Sequence, residues 1–245
     1  MNASRHFLLS LLMLMVVSDI SIADAGSEQE FKNPSRKPRS FGVEGPALVY
    51  VVLGDSTAAG QGADYEKGIA VSTAEKIAEN HRVMMTNFGI SGARADDVVQ
   101  KELPSAEKLK PNVVLISVSA NDVVHLTSID AVRDSLEIII ERLRVANPEV
   151  AIVVTGAPEM SAPPRIPWLL RPVAGWRTAQ MNKMFRTLTA NQHITFAHIA
   201  DETGALFRTD NSLFATDGFH PNERGYATWV AVLNLSLAQA LGRPW

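Results

Sequence analysis

From residue 47 to the C-terminus, short continuous apolar runs alternate with segments of helical period. Residues 47–53 are apolar throughout, the pattern of a strand buried on both faces. Residues 83–88 form a second run, 113–118 and 150–154 are β-branched third and fourth runs, and 194–199 is a fifth, interrupted by Thr195 and His198. Helical patterns lie between them. Residues 68–80 carry one, and 93–103 a short one that should stop before Pro104. Over 130–146, Val132, Leu136, Ile139 and Leu143 recur at helical spacing, with Asp130 placed to cap the start and Pro148 to mark the end. Residues 173–190 form another. In the last, Tyr226, Trp229, Val230, Leu233, Leu237 and Leu241 make one stripe, and Pro221 suits its first turn. Strands alternating with helices predict an α/β domain: a parallel sheet of about five strands with helices on both faces.

In such sheets ligands bind beyond the carboxyl ends of the strands. The residues that matter are therefore those just after each apolar run: Gly54-Asp55-Ser56, Gly89 to Gly92, and Ser119 to Asp122. Three specific readings of the first stretch fail on spacing. A phosphate loop needs a Gly-Lys pair followed by Ser or Thr, and no lysine stands there. A dinucleotide fingerprint needs a third glycine where Tyr65 stands. The nucleophile elbow needs Gly where Ala58 stands.

The C-terminal stretch DGFHP supplies what a serine nucleophile lacks. A serine hydroxyl needs a base within hydrogen-bond reach, and histidine, with an unperturbed pKa of about 6.5, is the usual one. The base in turn needs a group that fixes its tautomer. Asp217 lies three residues before His220, so a tight turn would bring the two together. Backbone N–H groups at Gly92 and Ser56, with the side-chain amide of Asn121, are candidate donors to a developing oxyanion.

These residues, in this order, resemble the SGNH (GDSL-type) hydrolase family: Gly54-Asp55-Ser56, then Gly92, then Asn121-Asp122, then Asp217-Gly218-Phe219-His220-Pro221. The resemblance implies a flavodoxin-like three-layer α/β/α fold and hydrolysis of esters or thioesters. It implies Ser56 as nucleophile, His220 as base, Asp217 as its orienter, and an oxyanion hole of Ser56, Gly92 and Asn121. One position departs from the family pattern: the glycine usual two residues before the asparagine is Ser119. A carbohydrate O-deacetylase, an acyltransferase and a catalytically silent ligand-binding protein are the alternatives on the same scaffold.

Composition narrows the rest. Formal net charge is −3, so no global basic field suggests nucleic acid. There is no cysteine, which excludes disulfides, thiolate metal sites and a cysteine nucleophile. No His, Asp and Glu cluster has ligand spacing, so no metal or cofactor is expected; the expected partner is a small-molecule ester or acylated compound. Arg5 and His6 precede an apolar run over residues 7–17, followed by Ala23-Asp24-Ala25. That order reads as a signal peptide over 1–25, cleaved near Ala25, and hence export to a periplasm or the exterior. The alternative is an uncleaved anchor, although the run is shorter than the roughly 20 residues of a spanning helix. Residues 26–45 read as a basic, proline-containing linker and 46–245 as the hydrolase domain. Residues 158–176 are irregular and rich in proline, with Trp168, Leu169, Leu170 and Trp176. They read as a packed connecting loop, as an apolar wall over the site in which Trp168, Leu169 and Leu170 contact substrate, or as a membrane-touching loop.

Overall fold

A computed structural model describes residues 32–42, 44–192 and 194–242. The proposed signal peptide lies outside them. Six strands form one sheet: β1 (Arg39–Phe41), β2 (Ala47–Gly54), β3 (Arg82–Asn87), β4 (Val113–Ser117), β5 (Ala151–Val154) and β6 (Thr195–Phe196), in the order β1-β3-β2-β4-β5-β6. All neighbours are parallel except β1, which runs antiparallel to β3 with Phe41 opposite Val83. Without β1 the order is the doubly wound, flavodoxin-like one.

Alternation along the central strands builds the three layers. On β2, Val51 and Leu53 face one core, and Tyr50 and Val52 the other; on β4, Val114 and Ile116 oppose Val113 and Leu115 in the same way. Besides short helical turns over Ala95–Asp97 and Leu103–Ala106, the helices among the described residues are α1 (Ser56–Ala59), α2 (Ile69–Ala78), α3 (Ala120–Val124), α4 (Ile129–Ala146), α5 (Arg171–Gln192), α6 (Ile199–Thr209) and α7 (Glu223–Ala240). Val132, Leu136, Ile139 and Leu143 of α4 join Met181 and Phe185 of α5 on the first face. Ile69, Ala74 and Ile77 of α2 join Tyr226, Leu233 and Leu237 of α7 on the second.

Several boundaries differ from the sequence pattern. Arg39–Phe41, in the stretch read as linker, is an edge strand held by a bidentate Arg39–Glu66 pair at 2.8 and 2.9 Å, so the sheet has six strands rather than five. The fifth predicted run is a strand only at Thr195–Phe196. Ala197 N–H still reaches Val154 O, but Ile199 N–H turns back to Ala197 O and starts α6. Pro104 does not end the helical segment that begins near residue 93. With no N–H to donate, it is accommodated by a wide turn over Val98–Glu102, where Leu103 N–H bonds Val98 O, and helical turns continue to Leu109. Ser128 occupies the N-cap position of α4, while Asp130 sits in the first turn, ion-paired to Arg133 at 2.9 Å. Pro221 stands before α7, bridged to Phe214; the cap is Asn222, which accepts from Gly225 N–H at 3.1 Å.

The end of β2 fixes the geometry that follows. Gly54 has φ +138°, and a Cβ there would lie 1.8 Å from Ser117 O on β4. Gly54→Ala therefore forces β2 and β4 apart or prevents folding, with an expected loss of more than about 3 kcal/mol, measured by urea denaturation.

Candidate active site

Asp55 begins the first site loop. Its N–H bonds Ser117 O at 2.9 Å, and its Oδ1 accepts from Thr57 N–H at 2.9 Å and from Thr57 Oγ1 at 2.7 Å. Asp55 thereby caps α1 and presents Ser56 at its first position. The second loop follows β3. Asn87, buried, donates to Ala58 O at 2.8 Å and accepts from Gly89 N–H at 2.9 Å, and Ile90 N–H bonds Gly54 O. The loop then reaches Gly92, with φ +81° and open space where a Cβ would project. The third loop follows β4 and puts Asn121 in α3, where its amide donates to Ala93 O at 3.0 Å. Gly92 and Asn121, far apart in sequence, thus occupy adjoining loops.

The fourth segment closes the site. His220 Nε2 lies 2.9 Å from Ser56 Oγ, and its Nδ1 lies 2.6 Å from Asp217 Oδ2. Asp217 Oδ1 accepts from the N–H groups of Phe219 and His220 at 2.8 and 3.0 Å. Burial works against its ionisation. The hydrogen bond and charge of His220 and the two backbone donors outweigh that, and hold the carboxyl below the usual aspartate range. The Phe219 ring packs edge-on against His220, 5.1 Å between centroids.

A narrow, mostly apolar cavity of about 30 Å³ lies beside Ser56 and His220. Met160 and Pro163 wall it from the proline-rich loop, Phe207 from α6, Phe214 and Phe219 from the segment before α7, and Trp229 from α7. Trp168, Leu169 and Leu170 are not in its lining. Leu170 is 2% exposed and packs in the core under α5, whereas Trp168 and Leu169 are 75% and 60% exposed. The residues preceding them, 158–163, take the wall position instead.

Three buried carboxyls stand behind the serine, one of which, Glu102, the sequence pattern did not single out. Glu102 Oε2 accepts from Gly54 N–H at 2.8 Å, and burial pushes its carboxyl well above the usual range, with Asp55 adding to the rise. Burial raises Asp55 too, against its bonds to Thr57. Asp122 Oδ2 accepts from Ala95 N–H at 3.1 Å; burial pushes it up to about 6, opposed by that bond and by the nearby Thr127 hydroxyl. Glu102 left no mark in the sequence because, directly after Gln100 and Lys101, it reads as the end of a solvated polar stretch.

Two measurements check this arrangement. Ser119 has φ +105°, is fully buried, and its hydroxyl has no hydrogen-bond partner among the described residues. Ser119→Gly removes strain of about 1–3 kcal/mol against a glycine entropy cost of about 0.4–1 kcal/mol, so a net gain and a rise of a few degrees in Tm are expected by calorimetry. For Asp122, folding raises the pKa, so the folded form loses stability as pH climbs from about 4 to about 6 and carries the full penalty above. Asp122→Asn, which mimics the neutral acid, should be more stable than the parent at pH 8 by about 1–3 kcal/mol, with the gain gone below pH 4. Urea midpoints at the two pH values read this out.

The chain resembles known proteins over the same region. A GDSL-like esterase, Rv1075c of Mycobacterium tuberculosis, is 29% identical over 200 residues, which are 78% of this chain and 62% of that protein. The lipase Lip_vut3 from a goat rumen metagenome shares the fold with a TM-score of 0.64 at 21% identity, covering 77% of this chain and 97% of its own. A family 3 carbohydrate esterase of Clostridium thermocellum gives 0.63 at 14% identity, covering 80% and 98%. The model of the GDSL-like lipase/acylhydrolase family matches residues 52–228, from the strand before Ser56 to beyond His220, and the chain belongs to that family.

Proposed function

We propose that the protein is a serine esterase that hydrolyses carboxylic or thio esters through an acyl-Ser56 intermediate. The observation that carries this reading is the unbroken chain Asp217–His220–Ser56, with hydrogen bonds of 2.6 and 2.9 Å. As Ser56 Oγ attacks the acyl carbon, His220 Nε2 takes its proton. Asp217, held as the anion, keeps the other ring proton on Nδ1 and stabilises the imidazolium. The oxyanion is received by the N–H groups of Ser56 and Gly92 and by the second N–H of the Asn121 amide, whose first is bound to Ala93 O. Collapse of the tetrahedral intermediate expels the alcohol or thiol, protonated by His220. A water molecule, deprotonated by the same imidazole, then releases the acid and restores Ser56.

The cavity beside Ser56 supports assigning the acyl group to it. Phe207, Phe214, Phe219 and Trp229 offer apolar contact, which suits a short hydrocarbon chain better than a sugar. The carbohydrate O-deacetylase reading draws on the likeness to the carbohydrate esterase, and differs in expecting acetylated sugars over simple esters. Ser56→Ala should lower kcat on p-nitrophenyl esters by about 1,000-fold or more and abolish labelling by a fluorophosphonate. Labelling that survives in this variant would reject Ser56 as the nucleophile.

A further inference from the structure

Among the described residues, the two exposed tryptophans stand on one face of α5 and the turn that leads into it. Trp168 is 75% exposed, Trp176 61% and Leu169 60%. Leu170 and Arg171 N–H both bond Pro167 O, and Ala174 N–H bonds Leu170 O, so the turn at 167–170 runs on into α5 without a break. At 3.6 residues per turn, Trp168, Pro172, Trp176 and Leu169 then fall within an arc of about 100°. The opposite side is the core side: Leu170, Ala174 and Met181 are buried. Single exposed hydrophobics need no explanation, but two tryptophans and a leucine on one helix face are a patch.

Charge says what such a patch would meet. No Asp or Glu occurs between Glu159 and Asp201, whereas Arg165, Arg171, Arg177, Lys183 and Arg186 fall in that interval, in a chain of net charge −3. Arg186 is paired with Asp201 and Arg177 turns inward to Thr127 O near Asp122, but Arg171 directs its donors to the carbonyl oxygens of Ile166 and Pro164, so its charge is not cancelled there. Aromatic side chains on one face with Lys and Arg about them are the composition of a helix that lies in the headgroup layer of an anionic bilayer. The segment is also continuous with the site. Arg165 N–H bonds Gly218 O at 3.0 Å, inside the turn that carries Asp217 and His220, and the same loop supplies Met160 and Pro163 to the cavity wall.

We propose that the Trp168–Leu169–Pro172–Trp176 face docks the protein on an anionic phospholipid surface, with the indole rings in the headgroup region and Arg171 and the exposed Lys183 toward lipid phosphates. Docking is reversible and leaves the catalytic groups in place. It does not rest on the esterase reading, because its readout is binding.

The test is sedimentation of the full-length chain with vesicles of phosphatidylcholine and phosphatidylglycerol at 3:1, compared with phosphatidylcholine alone. The apolar run at residues 7–17 is present in every sample, so the quantity that counts is the difference between parent and variant. Trp168→Ser/Trp176→Ser should lower the partition coefficient about tenfold on the mixed vesicles, and 0.5 M salt should weaken the parent by a comparable factor. Hydrolysis of soluble p-nitrophenyl acetate, where present, should stay within twofold. Equal partition of parent and variant overturns the proposal. So does a parent that shows no preference for anionic vesicles. A parent dimer that dissociates on the same substitutions in light scattering, with vesicle binding unchanged, assigns the face to a second copy and overturns it too. If the double variant loses its cooperative thermal transition, Trp176→Ser alone is read, with about threefold as the expected loss.

Discussion

Everything at the candidate site hangs on the contact between the end of β2 and its neighbours. Gly54 passes so close to Ser117 that a side chain has no room, and the residue after it donates its N–H to Ser117 O at 2.9 Å. Gly54 O takes the N–H of Ile90, two residues before Gly92, and Gly54 N–H goes to Glu102. One glycine thereby ties the serine loop to the loop of Gly92 and, through Ser117, to the strand that leads to Asn121. Backbone hydrogen bonds are short and directional, so the relative placement of these loops is set first by main chain, with the buried side chains of Asn87, Glu102 and Asp122 adding to it. Only His220 arrives from outside this cluster, and it is fixed locally by Asp217.

The buried carboxyls belong to the same construction. A carboxyl buried away from water is destabilised as an anion unless donors surround it. Glu102, Asp55 and Asp122 have few donors each, and each uses them to hold a loop: Gly54, Thr57 and Ala95 respectively. The site therefore sits on groups whose charge the fold disfavours, which is a stability cost accepted to fix three loops at once. Ser119 adds another, since its left-handed backbone conformation is one that glycine adopts freely.

The parts of this design legible in the sequence were those with a local signal. Continuous apolar runs marked the buried strands, and residues just past them marked Ser56, Gly92 and Asn121. Asp217 and His220 were legible because the turn joining them is local. The edge strand at Arg39–Phe41 was not, because a strand with one neighbour and one open edge carries no long apolar run. Pro104 misled because a proline usually stops a helix, and here the ladder widened by one residue instead. The cavity wall was hidden for a different reason. Met160, Phe207, Phe214 and Trp229 come from separate elements, and only the tertiary fold brings them together. Trp168 and Leu169 look the same in sequence as wall residues; which side of a helix faces the core is not a property of apolarity alone.

The proline-rich loop shows how a connection becomes part of a site. Glu159 Oε2 pairs with Arg208 of α6 at 2.7 Å, and its Cβ packs against Gly204, where a methyl group would stand only 2.9 Å away. Thr178 Oγ1, on α5, accepts from Met160 N–H at 3.3 Å, and Gly218 accepts from Arg165. The loop is thus fastened at separate points to α6, to α5 and to the Asp217–His220 turn. Prolines at 158, 163, 164 and 167 reduce the freedom of the unfolded chain over the same stretch, so less entropy is lost in ordering it. A wall fastened in this way cannot shift without disturbing the turn that aims His220 at Ser56. Cavity shape and the alignment of the imidazole are therefore set together, and a substitution at Gly204 or Glu159 acts on both.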